Sequence, residues 1–161
     1  MTFTAISIIT LILAIAAFAS MFVPRIPGVL AAYAALVCAH LAGAAYVDAK
    51  ILIYWGIATA IVLGLRMLQP KALVYTPQGQ SYVALGTIAG VMLGYAVSPV
   101  SAALIAGGAT GALLGAFVFM RTPAGPRLPL ASSEFVQYLC AKGLPAIITS
   151  AMAAISIASL I

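Results

Sequence analysis

Three polar side chains could do chemistry inside the apolar part of this sequence: His40, Tyr33 and Asp48. His40 lies near the middle of the apolar run 29–47, and Tyr33 precedes it by one heptad, which places both on nearly the same helix face. An ionisable group at that depth is costly in lipid and marks a proton relay or a substrate contact by default. A neutral imidazole bonded to a neighbouring helix is the alternative. Asp48 ends the run, where it either gates a path or pairs with Lys50.

The sequence carries none of the residue patterns on which common enzyme reactions depend. Its two acidic residues, Asp48 and Glu134, form no local pair for acid and base catalysis, and its single histidine excludes a His-x-x-x-His metal site. Cys38 and Cys140 stand alone in apolar stretches, so we interpret them as buried thiols. We therefore expect a non-enzymatic protein that holds neither a cofactor nor a metal.

The composition is that of a membrane protein. Hydrophobic residues make up 65% of the 161 positions and charged residues 6%, whereas soluble domains carry about 25% charged residues. A water-soluble fold of this size could not bury so much apolar surface. The composition therefore excludes nucleic-acid binding, a soluble enzyme fold and a disulfide scaffold, and it makes membrane lipids the surrounding solvent.

Apolar runs of about 20 residues, the length that crosses a bilayer, divide the single domain 1–161 into six candidate spans. These are 3–23, 29–47, 51–68, 82–97, 100–120 and 145–161. We expect an all-α integral membrane fold, a compact bundle of about six transmembrane helices. The fourth run is the shortest, so runs four and five either cross fully or form a re-entrant hairpin.

The segment before the last span is ambiguous, because a Lys-Gly-Leu-Pro sequence at 142–145 interrupts it. We interpret 134–141 as an amphipathic interfacial stretch that begins after a Ser132 or Ser133 cap. Pro145 then belongs to the first turn of the spanning helix, where its missing N–H costs no hydrogen bond.

Basic residues predict the orientation. With six alternating spans, one side of the membrane receives six basic residues and the other receives Lys50 alone. The six are Arg25, Arg66, Lys71, Arg121, Arg127 and Lys142. Because basic loops stay in the cytoplasm, we expect both termini on the non-cytoplasmic side.

Glycine spacing is the strongest packing signal in the sequence, because two neighbouring spans each repeat glycine every four residues. The rows are Gly86, Gly90 and Gly94 in span four, and Gly107, Gly111 and Gly115 in span five. Residues four apart share a helix face, so each row opens a groove into which a second backbone fits. In lipid, such close packing must replace hydrophobic burial as the force between helices.

Two other spans carry rows of small residues at the same spacing. They are Ala31, Ala35, Ala39 and Gly43 in span two, and Ala146, Ser150, Ala154 and Ala158 in span six. Four of the six predicted helices thus carry a face for close packing, which indicates a compact bundle without a wide aqueous pore.

The two glycine rows are in register across the turn at Ser98-Pro99. Reflection about that turn pairs Gly94 with Ala103, Gly90 with Gly107, Gly86 with Gly111 and Tyr82 with Gly115. We therefore predict a tight antiparallel glycine-zipper hairpin over 82–120. Two interpretations stay open: the glycines pack helices within one chain, or one groove remains open for an identical chain, a lipid or a membrane-protein partner.

The order of these features resembles a small bacterial membrane family known as domain of unknown function 456. The residues that carry the resemblance are the Pro-Arg-Ile-Pro-Gly turn at 24–28, the run 86–94, Pro99 and the run 107–115. That family has no assigned function, so the resemblance implies only a location, the bacterial cytoplasmic membrane.

Two functions are consistent with the sequence. The first is a non-enzymatic structural or accessory component that uses small-residue packing for folding or for assembly, including homo-oligomers. The second is a small transporter or lipid-handling protein with a substrate path along the broken hairpin, gated by His40 or Asp48. The sequence shows neither repeat symmetry nor a second charge within a span, which favours the first function.

Overall fold

The computed structural model describes residues 2–23, 26–44, 47–71, 74, 77–126 and 132–160, and within these ranges the chain is all-helical without a β-strand. Its helices are α1 (Thr2–Ser20), α2 (Gly28–Leu41), α3 (Ala49–Leu68), α4 (Gln80–Val97), α5 (Ser101–Arg121), α6 (Ser133–Tyr138) and α7 (Leu144–Ala158). A π-helical turn, Leu139–Gly143, joins α6 to α7. Arg25 and Arg127, two of the residues that predict the orientation, lie outside the described residues.

Four helical stretches are long and apolar enough to cross a membrane: α3, α4, α5 and the continuous stretch Ser133–Ala158. The apolar helices Thr4–Ser20 and Gly28–Leu41 are shorter. These lengths confirm a helical chain with segments of membrane length. The helix of the fourth apolar run, α4, has 18 residues and so is longer than the run itself, whereas α2 has 14.

α2 is shorter than the apolar run 29–47 because a glycine ends it. Gly43 has a left-handed conformation with a φ of 74°. Its N–H donates to the His40 carbonyl, and the Ala44 N–H donates to the Ala39 carbonyl. This pair of bonds is a Schellman motif, which satisfies the last carbonyls of a helix. The predictions of a helix through the whole run and of a small-residue row through Gly43 are therefore wrong.

The last helical stretch is continuous where the sequence predicts an interruption. The π-helical turn takes up the irregularity of the Lys-Gly-Leu-Pro sequence, and Pro145 lies in the first turn of α7, as predicted. The Ser132 hydroxyl accepts a hydrogen bond from the Phe135 N–H at 3.2 Å, which confirms the predicted cap. Phe135 and Tyr138 are buried, so α6 packs against the bundle.

α7 occupies the centre of the described bundle, where it contacts α1, α2, α4 and α5. Its buried surface consists mainly of small residues, which allow neighbouring helices to approach closely. The Ser150 hydroxyl donates to the Ala146 carbonyl at 2.7 Å, and the Ser156 hydroxyl donates to the Met152 carbonyl at 2.8 Å. The buried serines of α7 are therefore satisfied within their own helix.

One row of large apolar side chains on α1 and one on α3 point outward instead. Between 55% and 62% of each side chain is exposed in the rows Ile8, Ile12 and Ile15 of α1 and Ile53, Ile57 and Ile61 of α3. Each row repeats every three or four residues and so covers one side of its helix. Continuous apolar stripes of this kind are unfavourable in water and are typical of a surface that faces lipid.

We expect Gly43→Ala to destabilise the protein by about 1 kcal/mol, because alanine is strained in the left-handed conformation that ends α2. Gly64→Ala is the matched control: at both positions an added Cβ would meet no atom within 4 Å, but Gly64 is helical. Alanine favours a helix over glycine, so the control should keep or raise stability. Thermal unfolding in mild detergent measures both variants, and equal midpoints would contradict this account.

Candidate functional site

α4 and α5 form an antiparallel hairpin whose backbones are in direct contact. α4 ends before Ser98 and Pro99, and the Ser98 N–H donates to the Gly94 carbonyl at 3.0 Å. The contacts repeat at four levels, which pair Gly94 with Ala103, Gly90 with Gly107, Gly86 with Gly111 and Tyr82 with Gly115. The structure thus brings together the seven packing residues that the sequence singles out, and it places the Tyr82 backbone opposite Gly115.

The middle levels of this hairpin have room only for glycine. A Cβ added to Gly90 would overlap the carbonyl oxygen of Gly107, and a Cβ added to Gly107 would overlap the carbonyl oxygen of Gly90. The same reciprocal relation holds between Gly86 and Gly111. Each carbonyl oxygen thus faces the Cα of the partner, which is the arrangement in which Cα–H···O contacts form between helices.

α5 has a second row of small residues, which faces both α4 and α7. A Cβ on Gly108 would lie 2.9 Å from Cγ2 of Val91 in α4 and 3.3 Å from Cγ2 of Ile147 in α7. Ala112, one turn further along α5, is fully buried. The glycine rows of α4 and α5 therefore cover each other, while Gly108 and Ala112 lie on the buried side of α5 that packs against α7.

His40 lies in the last turn of α2, not near the middle of a span, because α2 ends early. Its Nδ1 nitrogen is hydrogen-bonded to the Val47 carbonyl at 2.5 Å. Since a carbonyl can only accept, this nitrogen carries the proton. The bond holds the connection to α3 against the end of α2, so the contact that His40 makes is a structural one.

Tyr33 and Asp48 do not join His40 in one site. The Tyr33 hydroxyl donates to the Leu52 carbonyl of α3 at 3.5 Å and lies against Gly56. Asp48 is exposed before the first residue of α3, and its side chain makes no capping hydrogen bond. The three predicted polar residues thus flank the connection between α2 and α3, and their side chains do not converge on a common ligand position.

A polar end of the bundle, built around Lys142, was not predicted as a site. Lys142 is 2% exposed, its Nζ donates to the Gln78 carbonyl at 2.5 Å, and it lies 5.4 Å from the centre of the Tyr138 ring. A buried ammonium is costly unless its donors are used, so these contacts hold the turn before α4 against the π-helical turn. From the sequence, Lys142 is a topology signal and part of the interruption at 142–145, although its place inside an apolar segment also indicates burial.

A small cavity of about 40 Å³ lies next to this polar end, where the C-terminal ends of α1 and α3 meet the N-terminal ends of α4 and α7. Ser20, Arg66, Gln80 and Thr149 contribute its polar lining. The Gln80 amide nitrogen donates to the Met21 carbonyl at 2.7 Å, which ties α4 to the end of α1. A volume of this size suits one or a few water molecules. The cavity is therefore a small space between helix ends and is too small for a substrate.

Comparison of the chain with family models, with curated proteins and with solved structures finds no match. Functional inference therefore rests on the residues and the geometry above. In the part of the chain that the structure describes, no group of three or more His, Cys, Asp or Glu side chains is placed to hold a metal ion.

We expect Gly90→Ala to destabilise the protein by about 1 to 3 kcal/mol, because the added methyl group meets backbone atoms that cannot move independently of the helix. Gly64→Ala is the control, because a Cβ added to this helical glycine would meet no atom within 4 Å. Thermal unfolding in detergent compares the two, and a Gly90→Ala variant as stable as the Gly64→Ala variant would show that the backbone contact is unimportant.

Proposed function

We propose that this protein is a non-enzymatic integral membrane protein of a bacterial cytoplasmic membrane, in which about six helices cross the bilayer and act as a structural or accessory component. The observation that carries the proposal is the backbone contact between α4 and α5 at four levels. Hydrophobic burial gives no attraction between helices in lipid, so contacts of this kind hold membrane bundles together. The exposed isoleucine rows of α1 and α3 support lipid as the solvent.

Six crossings require α1 and α2 to span together with the four longer stretches. α1 has 19 residues and α2 has 14, which correspond to helices of about 28 Å and 21 Å. The hydrocarbon core is about 30 Å thick, and local thinning of the bilayer accommodates a short helix at modest cost. The bacterial cytoplasmic membrane as the location depends on the proposed resemblance to domain of unknown function 456 and is part of this proposal.

The distribution of basic residues supports an orientation with both termini on the non-cytoplasmic side. Arg66, Lys71, Arg121 and Lys142 belong to the end of the bundle that contains the small cavity, whereas Lys50 lies in the first turn of α3 at the opposite end. Basic residues accumulate on the cytoplasmic side of membrane proteins. In this proposal the cavity end therefore faces the cytoplasm.

The geometry favours a structural role over transport through the hairpin. The described backbones of α4 and α5 touch at four levels, which leaves no room for a substrate between them. His40 and Asp48, the predicted gate of a transport path, lie at the connection between α2 and α3, and His40 is already bonded to a carbonyl there. The glycine rows face each other within one chain, which favours folding over self-association as their purpose.

The double variant Gly90→Leu/Gly107→Leu tests this structural role. We expect it to aggregate or unfold, because two large side chains cannot fit between touching backbones. Gly64→Leu is the control, since a side chain at that position meets open space. Size-exclusion chromatography in mild detergent, with native mass spectrometry of the main peak, separates the outcomes. A folded double variant that only loses subunits would mean that the glycines serve assembly, and wild-type behaviour would overturn the role altogether.

The membrane placement is tested at the two ends of α3. The two native cysteines are first replaced, as Cys38→Ala and Cys140→Ala. In this background the variants Ala49→Cys and Pro70→Cys introduce exposed thiols at opposite ends of the helix without removing a charge. We expect a membrane-impermeant maleimide to label Ala49→Cys in spheroplasts and Pro70→Cys only in inverted vesicles. Labelling of both thiols from one side would show that α3 does not cross, and the reversed pattern would overturn the orientation.

A further inference from the structure

A groove opens where α3 ends, on the outer side of the basic end of the bundle. Its lining includes Pro27 before α2, Leu63, Arg66 and Met67 of α3, and Gln69 and Lys71 beyond the helix. The volume of the groove is about 320 Å³, which lies within the range of sites for small ligands. This groove is much larger than the neighbouring cavity, and Arg66 lines both.

The charges of the groove are complementary to an anion. Arg66 and Lys71 provide two cations, and no carboxylate contributes to the lining. The sequence has only two acidic residues, of which Asp48 precedes the opposite end of α3 and Glu134 lies in the first turn of α6. A guanidinium has five N–H donors, so Arg66 can contact a phosphate while it keeps other contacts.

The surface beside these two cations is apolar, which distinguishes an amphiphile from a soluble anion. Leu63 and Met67 lie in the wall of the groove. Met67 and Leu68 are 87% and 83% exposed at the end of α3, and Met67 lies one turn after Leu63 on the same face of the helix. A ligand that matches both parts has a phosphate at one end and hydrocarbon at the other.

We propose that this groove binds an anionic phospholipid, whose phosphate contacts Arg66 and Lys71 and whose acyl chains lie against Leu63 and Met67. The inference rests on the membrane placement in the proposed function and adds to it a site and a class of ligand. The groove belongs to the basic end of the bundle, and anionic lipids attract basic residues at the cytoplasmic surface of a membrane.

Native mass spectrometry of the delipidated protein in mild detergent tests the proposal, with phosphatidylglycerol and phosphatidylcholine added in equal amounts. We expect the wild-type protein to retain phosphatidylglycerol in preference to phosphatidylcholine. Each basic residue contributes about fivefold to binding at an anionic surface, so Arg66→Gln/Lys71→Gln should weaken the retention of phosphatidylglycerol roughly 25-fold. Lys50→Gln/Arg121→Gln, which removes the same charge outside the groove, should leave it nearly unchanged.

Three results would overturn the site. The first is equal retention of both lipids by the wild-type protein. The second is an equal loss of phosphatidylglycerol retention in the two double variants. The third is displacement of phosphatidylglycerol by millimolar inorganic phosphate, which would identify a site for a free anion. The first and third use only the wild-type protein and so do not depend on the folding of a variant. They are also separate from the membrane placement, because thiol labelling at the ends of α3 reports that placement without reference to any lipid.

Discussion

The close contact between the backbones of α4 and α5 is the interaction on which the rest of the structure depends. In the membrane placement proposed above, helices gain little from burying apolar side chains against each other, so their attraction comes from contacts at short range. Gly90 and Gly107 allow those contacts because each leaves space for the carbonyl oxygen of the other. Gly108, next to the glycine row on α5, contacts both Val91 of α4 and Ile147 of α7, and α7 in turn contacts α1 and α2.

Polar groups are distributed in a way that this packing requires. Within the helices, the buried hydroxyls of Thr87, Ser150 and Ser156 donate to carbonyls of their own helix, so that close approach leaves them satisfied. Polar contacts between elements occur at the basic end, where Lys142 bonds the Gln78 carbonyl and Gln80 bonds the Met21 carbonyl, and along α3, where Tyr33 and Thr59 contact neighbouring helices. The contact between α4 and α5 therefore depends on shape, whereas hydrogen bonds join several of the other elements.

Features that depend on local spacing could be predicted from the sequence, and features that depend on distant partners could not. The pairing of Gly90 with Gly107 follows from glycines four residues apart on both sides of one proline turn. The end of α2 was missed because Gly43 fits a row of small residues as well as a left-handed cap, and only its hydrogen bonds distinguish the two. The burial of Lys142 depends on Gln78, which lies far away in the sequence.

α3 is the least buried of the four helical stretches of membrane length. Of the residues in its most apolar 18-residue segment 17% are buried, against 61% in that of the last helical stretch. Tyr33 contacts its first half, and Thr59 donates to the sulfur of Met152 at 3.8 Å, but Met67 and Leu68 at its C-terminal end are 87% and 83% exposed. Arg66 lies in the last turn beside them and lines both the cavity and the groove. A ligand that binds Arg66 would therefore add contacts at the exposed end of the helix.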